Sequence, residues 1–175
     1  MKRIVLVLFA FATLGAAALA QAQHIYCKIT GHNGVIAGDV TIKGLEDNIA
    51  VQSLMQGVTI PIGAASGQAT GKRQHKPLTI IKGVDKASPK LFMAAVTGEN
   101  LSSVDCSFYH RGRGTMQKYF RIALTNARIS EINIGNNPNN NFNSQETVSF
   151  VFQKITLEDQ VSGTIVEDDW ESPQV

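Results

Sequence analysis

From residue 101 onward, apolar and polar positions alternate with period two. Val104, Cys106 and Phe108 face one way while Asp105, Ser107 and Tyr109 face the other, the pattern of a half-buried strand. Lys118 to Leu124 repeats it with Phe120, Ile122 and Leu124 together, Ile129 to Ile134 reads as a further strand, and Glu146 to Leu157 places Val148, Phe150 and Phe152 on one face. Val151 and Ile155 fall on the opposite face, which is too apolar for a solvated strand and asks for a cover. Seven asparagines between Asn133 and Asn143 predict a long exposed hairpin loop.

The first half is less regular. His24 to Ile29 reads as a strand ended by Gly31, Asn33 and Gly34, and residues 35–47 as a loop with a strand fragment at Val40-Thr41-Ile42. Asn48 to Pro61 is a more continuous strand-like run, 63–71 a small polar connection, and Leu78 to Ile81 another strand. Then the period becomes helical. Ser88 is placed to cap a helix whose first position is Pro89, with Leu91, Phe92, Ala95 and Val96 as its apolar face and Gly98 as its stop. Strands, one helix and strands again fit an antiparallel barrel or sandwich with a helical plug better than a βαβ fold.

The chain has 175 residues, 43% of them apolar, which suits one domain. Its N-terminus changes the charge picture. Met1-Lys2-Arg3 precedes an uncharged stretch from Ile4 to Ala20, the order of a secretory signal peptide, with A-x-A cleavage patterns at Ala18-Leu19-Ala20 and Ala20-Gln21-Ala22. The expected domains are a leader at 1–20 and a barrel domain at 21–175. Losing Lys2 and Arg3 with the leader leaves 14 basic against 14 acidic residues, so the formal +2 is no argument for nucleic acid or an anionic membrane. The expected product inserts in no membrane after cleavage and lies outside the cytoplasm, secreted or periplasmic. A misassigned start codon would instead leave it cytoplasmic before export.

Catalytic signals are thin. His24, His32, His75 and His110 show no metal-binding spacing, no G-x-S-x-G occurs, and the carboxylate pairs Glu46-Asp47, Glu158-Asp159 and Asp168-Asp169 point apart if extended. Gly67 to Lys72 falls one residue short of a phosphate loop, with Arg73 where a hydroxyl is required. Arg111-Gly112-Arg113-Gly114 with Lys72, Arg73 and Lys76 is a candidate basic rim, though a hairpin whose arginines pair with acids explains it as well. The expectation is no enzyme, no catalytic residue, no cofactor and no metal. Cys27 and Cys106, 79 positions apart, are compatible with one disulfide in an oxidising compartment or with two separate buried thiols.

Val84-Asp85-Lys86-Ala87-Ser88-Pro89, followed by Leu91-Phe92 and Thr97-Gly98, resembles the hallmark segment of the haemolysin-coregulated protein family, the tube protein of the type VI secretion system. His75-Lys76-Pro77-Leu78-Thr79 before it, and Glu146 to Phe150 with Lys154-Ile155 after it, resemble further blocks in the same order, over roughly residues 24 to 160. The resemblance implies a mainly β fold, an antiparallel β-barrel with one short packed α-helix. It also implies a homo-hexameric ring, ring-to-ring stacking helped by an extended loop at positions 34–48, and sheath, spike and effector proteins as partners. The implied role is a structural tube component. The leader and the asparagine-rich stretch depart from the family pattern and suggest as the alternative a secreted binding module or effector carrier outside the contractile tube.

Overall fold

The computed structural model describes residues 23–112, 115–136 and 144–170. The expected leader, the centre of the asparagine-rich stretch and Arg113-Gly114 lie outside the described residues. In chain order the elements are β1 (Gln23–Gly31), β2 (Gly34–Ile36), β3 (Ile49–Met55), β4 (Val58–Thr59), β5 (Gln74–His75), β6 (Leu78–Gly83), α1 (Ser88–Thr97), β7 (Leu101–Gly112), β8 (Thr115–Asn136), β9 (Ser144–Asp159) and β10 (Ile165–Asp169).

Hydrogen bonding runs β9-β6-β3-β1-β7-β8 and returns from β8 to β9, closing a six-stranded barrel in which every neighbouring pair is antiparallel. The alternation along each strand explains the closure. Cys27 and Ile29, Ile49 and Val51, Leu78 and Ile80, Val104 and Cys106, Ile122 and Leu124, and Val148 and Phe150 all point inward and form one apolar core. Closure leaves these six strands no free edge along the barrel.

The segments 118–124 and 129–134 prove to be parts of one strand of 22 residues, β8. What made them look separate is a change of face at Asn126, which adopts a left-handed conformation (φ 50°), tolerable for asparagine and poor for most residues. Leu124 and Ala127, three apart, are both buried, and so on the paired strand are Ile155 and, in part, Phe152, with Leu124 opposite Ile155 and Ala127 opposite Phe152. The amide of Asn126 donates to Gln153 Oε1 at 2.7 Å across this corner. Ile155 therefore lies in the core, contrary to the alternation read through it, while Val151 remains exposed. The β8–β9 ladder extends to Asn136 opposite Ser144, so strand replaces loop at both ends of the asparagine-rich stretch.

Helix α1 packs on β8, with Ala87, Leu91 and Ala94 in the core. Two expectations shift here. The cap is Ala87, without a side-chain bond, so Ser88 is the first helical residue and its hydroxyl is free for another use, whereas Gly98 does end the helix in a left-handed conformation (φ 63°). Phe92, Met93 and Val96 point outward, leaving the buried stripe narrower than the spacing suggested. Helix positions 92, 93 and 96 form one continuous face.

Between β2 and β3, Val40-Thr41-Ile42 is not a strand but one side of an ordered loop. Gly38 N–H donates to Asp47 O at 2.7 Å, Asp47 N–H to Val40 O at 3.0 Å and Val40 N–H to Asn48 O at 3.2 Å. Such zipping requires close backbone approach, and Gly38 permits it: a β-carbon there would stand 2.3 Å from the Asn48 carbonyl oxygen. Gly38→Ala is expected to pry the loop base apart at a cost of about 1–3 kcal/mol, read as a lowered urea midpoint, with slowed proton exchange at Asp47 lost first.

Candidate functional site

The hallmark segment builds a buried polar node. Core-facing positions along β6 are Leu78, Ile80 and Lys82, and those along β9 are Phe150, Val148 and Glu146; the register sets Lys82 opposite Glu146. Lys82 is 0% exposed and Glu146 1%. The ammonium of Lys82 donates to Glu146 Oε1, to Asp85 Oδ1 at 2.8 Å and to the Gly83 carbonyl at 2.9 Å, and lies 3.3 Å from Ser88 Oγ. The Ser88 hydroxyl donates to Glu146 Oε1 at 2.9 Å and accepts the Asp85 N–H at 3.0 Å, while Asp85 Oδ1 accepts the Ala87 N–H at 2.8 Å. A buried charge without partners costs several kcal/mol. Here the partners come from β6, β9 and the first turn of α1, so satisfying the charges docks the helix at one angle.

Within the hallmark segment, Asp85 and Ser88 thus act by positioning α1. Lys86 instead reaches out to Asp47 Oδ1 at 2.9 Å and ties the segment to the 37–48 loop. Ala87 is core, Pro89 follows Ser88 in the first turn, and Val84 is exposed. Ser88 beside a lysine has the composition of a nucleophile and base, but both are buried and committed to internal bonds.

A second cluster clamps the C-terminal strand. Arg73 donates from Nε and Nη2 to the two carboxylate oxygens of Asp168, and Nη2 also donates to the Asp169 carbonyl at 2.8 Å. Gly57 N–H donates to Gln56 Oε1 at 2.7 Å, which leaves the Gln56 amide nitrogen facing His75 Nδ1 at 3.3 Å. Nδ1 therefore accepts, and Nε2–H donates to Asp168 Oδ2 at 2.6 Å. The His75 ring sits 5.5 Å from both Phe152 and Trp170. The Arg73 hydrogen bonds, opposed by desolvation and assisted by His75, hold the Asp168 carboxyl below the ordinary carboxylate range. Arg73 is thus the key of a clamp and no open basic rim, and Asp168 and Asp169 do diverge.

Outer surfaces remain. The helix presents Phe92, Met93 and Val96 to solvent, with Val35 and Met93 lining one shallow groove. At the barrel end away from the helix, Ile25, Leu54, Phe108, Phe120 and Leu157 are only partly buried, flanked by exposed Met55 and Val166. Contiguous exposed apolar surface is a general feature of protein–protein contact regions. Between them the sheet exterior is polar and internally neutralised: Arg121 binds Asp105 through a double hydrogen bond and Glu158 at 3.3 Å, and Lys154 binds Glu167 at 2.7 Å. Among the described residues no group of three or more His, Cys, Asp or Glu converges as a metal site, and no helix is long and apolar enough to cross a membrane. The cysteines meet inside the barrel: Cys27 stands opposite Cys106 in the β1–β7 register, Cα atoms 4.0 Å apart, and the two are joined as a disulfide.

Lys82 was the residue sequence reading passed over. Its signal was present, because a lysine and a glutamate occupy core-facing positions near the ends of two strands, which only mutual burial explains.

Comparison with known proteins places these features. Residues 26–158 match the family described as "Type VI secretion system effector, Hcp". The "Major exported protein" of Pseudomonas aeruginosa strain PAO1 is 40% identical over 142 residues, covering 78% of this chain and 83% of that protein. Among solved structures, Hcp1 of the E. coli EAEC 042 pathovar superposes with a TM-score of 0.77 at 28% identity over 85% of this chain and 99% of its own. "Secreted protein Hcp3" of Pseudomonas aeruginosa does so with 0.71 at 33% identity over 86% and 100%.

Two expectations follow from the clusters. Lys82→Met leaves Glu146 buried without its cation and should cost about 3–5 kcal/mol in urea unfolding, most of it recovered on adding Glu146→Met. For the clamp, a depressed Asp168 pKa means that its stabilisation is complete above the unfolded carboxylate value of about 3.9 and lost as pH falls through the lower folded one. Fluorescence of Trp170, the chain's one tryptophan, should change as pH falls below about 4, whereas Asp168→Ala should show the released spectrum already at neutral pH.

Proposed function

Because the chain belongs to the Hcp family of the type VI secretion system, we propose that it is a structural ring subunit, assembling as a homo-hexamer whose rings stack into a tube. Its partners on this reading are further copies of itself, the sheath around the tube, the spike at its end and effector proteins carried in the ring lumen. The observation that carries the reading is the extent of the family match, which takes in the barrel from β1 to the end of β9 and includes the hallmark segment, here the node that orients α1.

The surface chemistry supports a mechanical role. Apolar areas on the helix and at the opposite barrel end suit contacts that must exclude water. Different patches meeting head to tail make a heterologous interface, which closes into a ring when the rotation allows. The neutralised exterior of the sheet, with Arg121, Asp105, Glu158, Lys154 and Glu167 satisfied among themselves, suits a wall along which cargo passes without strong binding. The ordered 37–48 loop, held by Gly38 and by Lys86, is a stiff projection suited to ring-to-ring stacking.

The second reading, an effector carrier outside the contractile tube, draws on the Cys27–Cys106 disulfide, since such bonds persist mainly in oxidising compartments. Removing the gene separates the two: loss of contraction-dependent export supports a tube subunit, and undiminished export of other tube components supports the carrier. For the ring itself, native mass spectrometry of the released protein should give a six-subunit mass, and Phe92→Asp with Val96→Asp should shift it toward monomer. A wild-type chain that stays monomeric at high concentration would overturn the ring.

A further inference from the structure

The disulfide lies where no reagent reaches it in the folded chain. Both Cys27 and Cys106 are 0% exposed, within the core that also holds Ile29, Val104, Ile122 and Leu124. They sit mid-strand on β1 and β7, with register pairs running on both sides from Gln23 opposite His110 to Thr30 opposite Ser103. Thiol–disulfide exchange requires a thiolate to attack a disulfide sulfur along an open line of approach. In the closed barrel that line is blocked by six strands, and local fraying at the strand ends does not expose the middle of a central ladder.

We propose that the redox state of this pair is set once, as the barrel closes, and that this chain closes its barrel in an oxidising compartment. One cysteine thiolate of the open chain attacks a disulfide donor, such as oxidised glutathione or a protein disulfide, and displaces one donor thiol. The second cysteine thiolate then attacks the mixed disulfide and releases the other. The chain loses two protons and two electrons, and the donor ends as two thiols. Closure of the whole barrel then seals the bond, so a later passage through a reducing compartment leaves it intact. Were the chain to fold under reducing conditions, the same burial would seal it as two thiols. The pair therefore keeps a record of where folding took place, a property that is independent of ring formation.

The test counts thiols in the full chain. Protein recovered from culture fluid of the producing cells, denatured and then alkylated, should carry no label; two labelled thiols per chain would overturn oxidative folding. For sealing, reduced and denatured chain is refolded either with oxidised glutathione throughout or under reductant, with oxidised glutathione supplied after folding. The first sample should be bridged. The second should keep both thiols, bridging roughly 1,000-fold or more slowly than the denatured chain; bridging at a comparable rate would overturn sealing. If the reduced chain fails to recover its β-sheet circular dichroism, oxidation must precede closure, which supports the same order of events. The oxidised native protein should likewise resist reductant until denatured.

Discussion

The ladder between β8 and β9 is the constraint on which the other parts of the molecule rest. It runs from Phe120 opposite Asp159 to Asn136 opposite Ser144, the longest pairing in the fold. Each of its strands uses its other edge as well: β8 pairs with β7 and carries α1 above its later residues, and β9 pairs first with β6 and then with β10. Closing this ladder turns an open sheet into a barrel and fixes helix, core and C-terminal strand together. The ladder itself is a hairpin, so what makes the closure a late and cooperative event is that the pairings distant in sequence, β1 with β7 and β6 with β9, must meet around it.

Polar groups inside the barrel act where apolar packing is not directional enough. Leu91 and Ala94 would bury acceptably over a range of helix tilts. The Lys82 ammonium has a fixed number of donors and finds acceptors on two strands and at the helix start, and only one tilt satisfies them all. A polar node of this kind trades some stability for a unique arrangement. The outward angle of Phe92, Met93 and Val96 is inherited from it.

Much of the architecture was legible in the alternation of residues. Val104-Cys106-Phe108, Phe120-Ile122-Leu124 and Val148-Phe150 all face the core as their spacing indicates, because a strand with one buried face admits no other register. The misreadings cluster where one residue breaks that period. Asn126 turns two strands over at once, moving Ile155 inward, and its positive φ leaves no mark in a hydropathy pattern. Ser88 looked like a cap because cap and node use the same hydroxyl, and which backbone N–H it serves depends on Asp85 and on a glutamate 58 positions away. The helix face is narrower than its spacing suggests because α1 packs mainly on β8 and turns Phe92, Met93 and Val96 outward. The Arg73–Asp168 clamp joins residues 95 apart that no local pattern links.

The position of that clamp has a mechanical meaning. Strand β10 folds back along β9 as a hairpin, with Asp169 opposite Lys154 at its open end and Ile165 opposite Glu158 beside the turn. Tension applied through Trp170 would peel β10 from β9 one rung at a time, beginning at the open end, and a hairpin peeled in this way resists with only one or two hydrogen bonds at any moment. Arg73 holds the Asp169 carbonyl at that first rung, and Arg73 and His75 together hold the Asp168 carboxylate one residue further in. They convert the weakest point of the hairpin under load into its strongest, so a pull on the C-terminal end is passed through the β4–β5 segment into the barrel wall before any rung has to open.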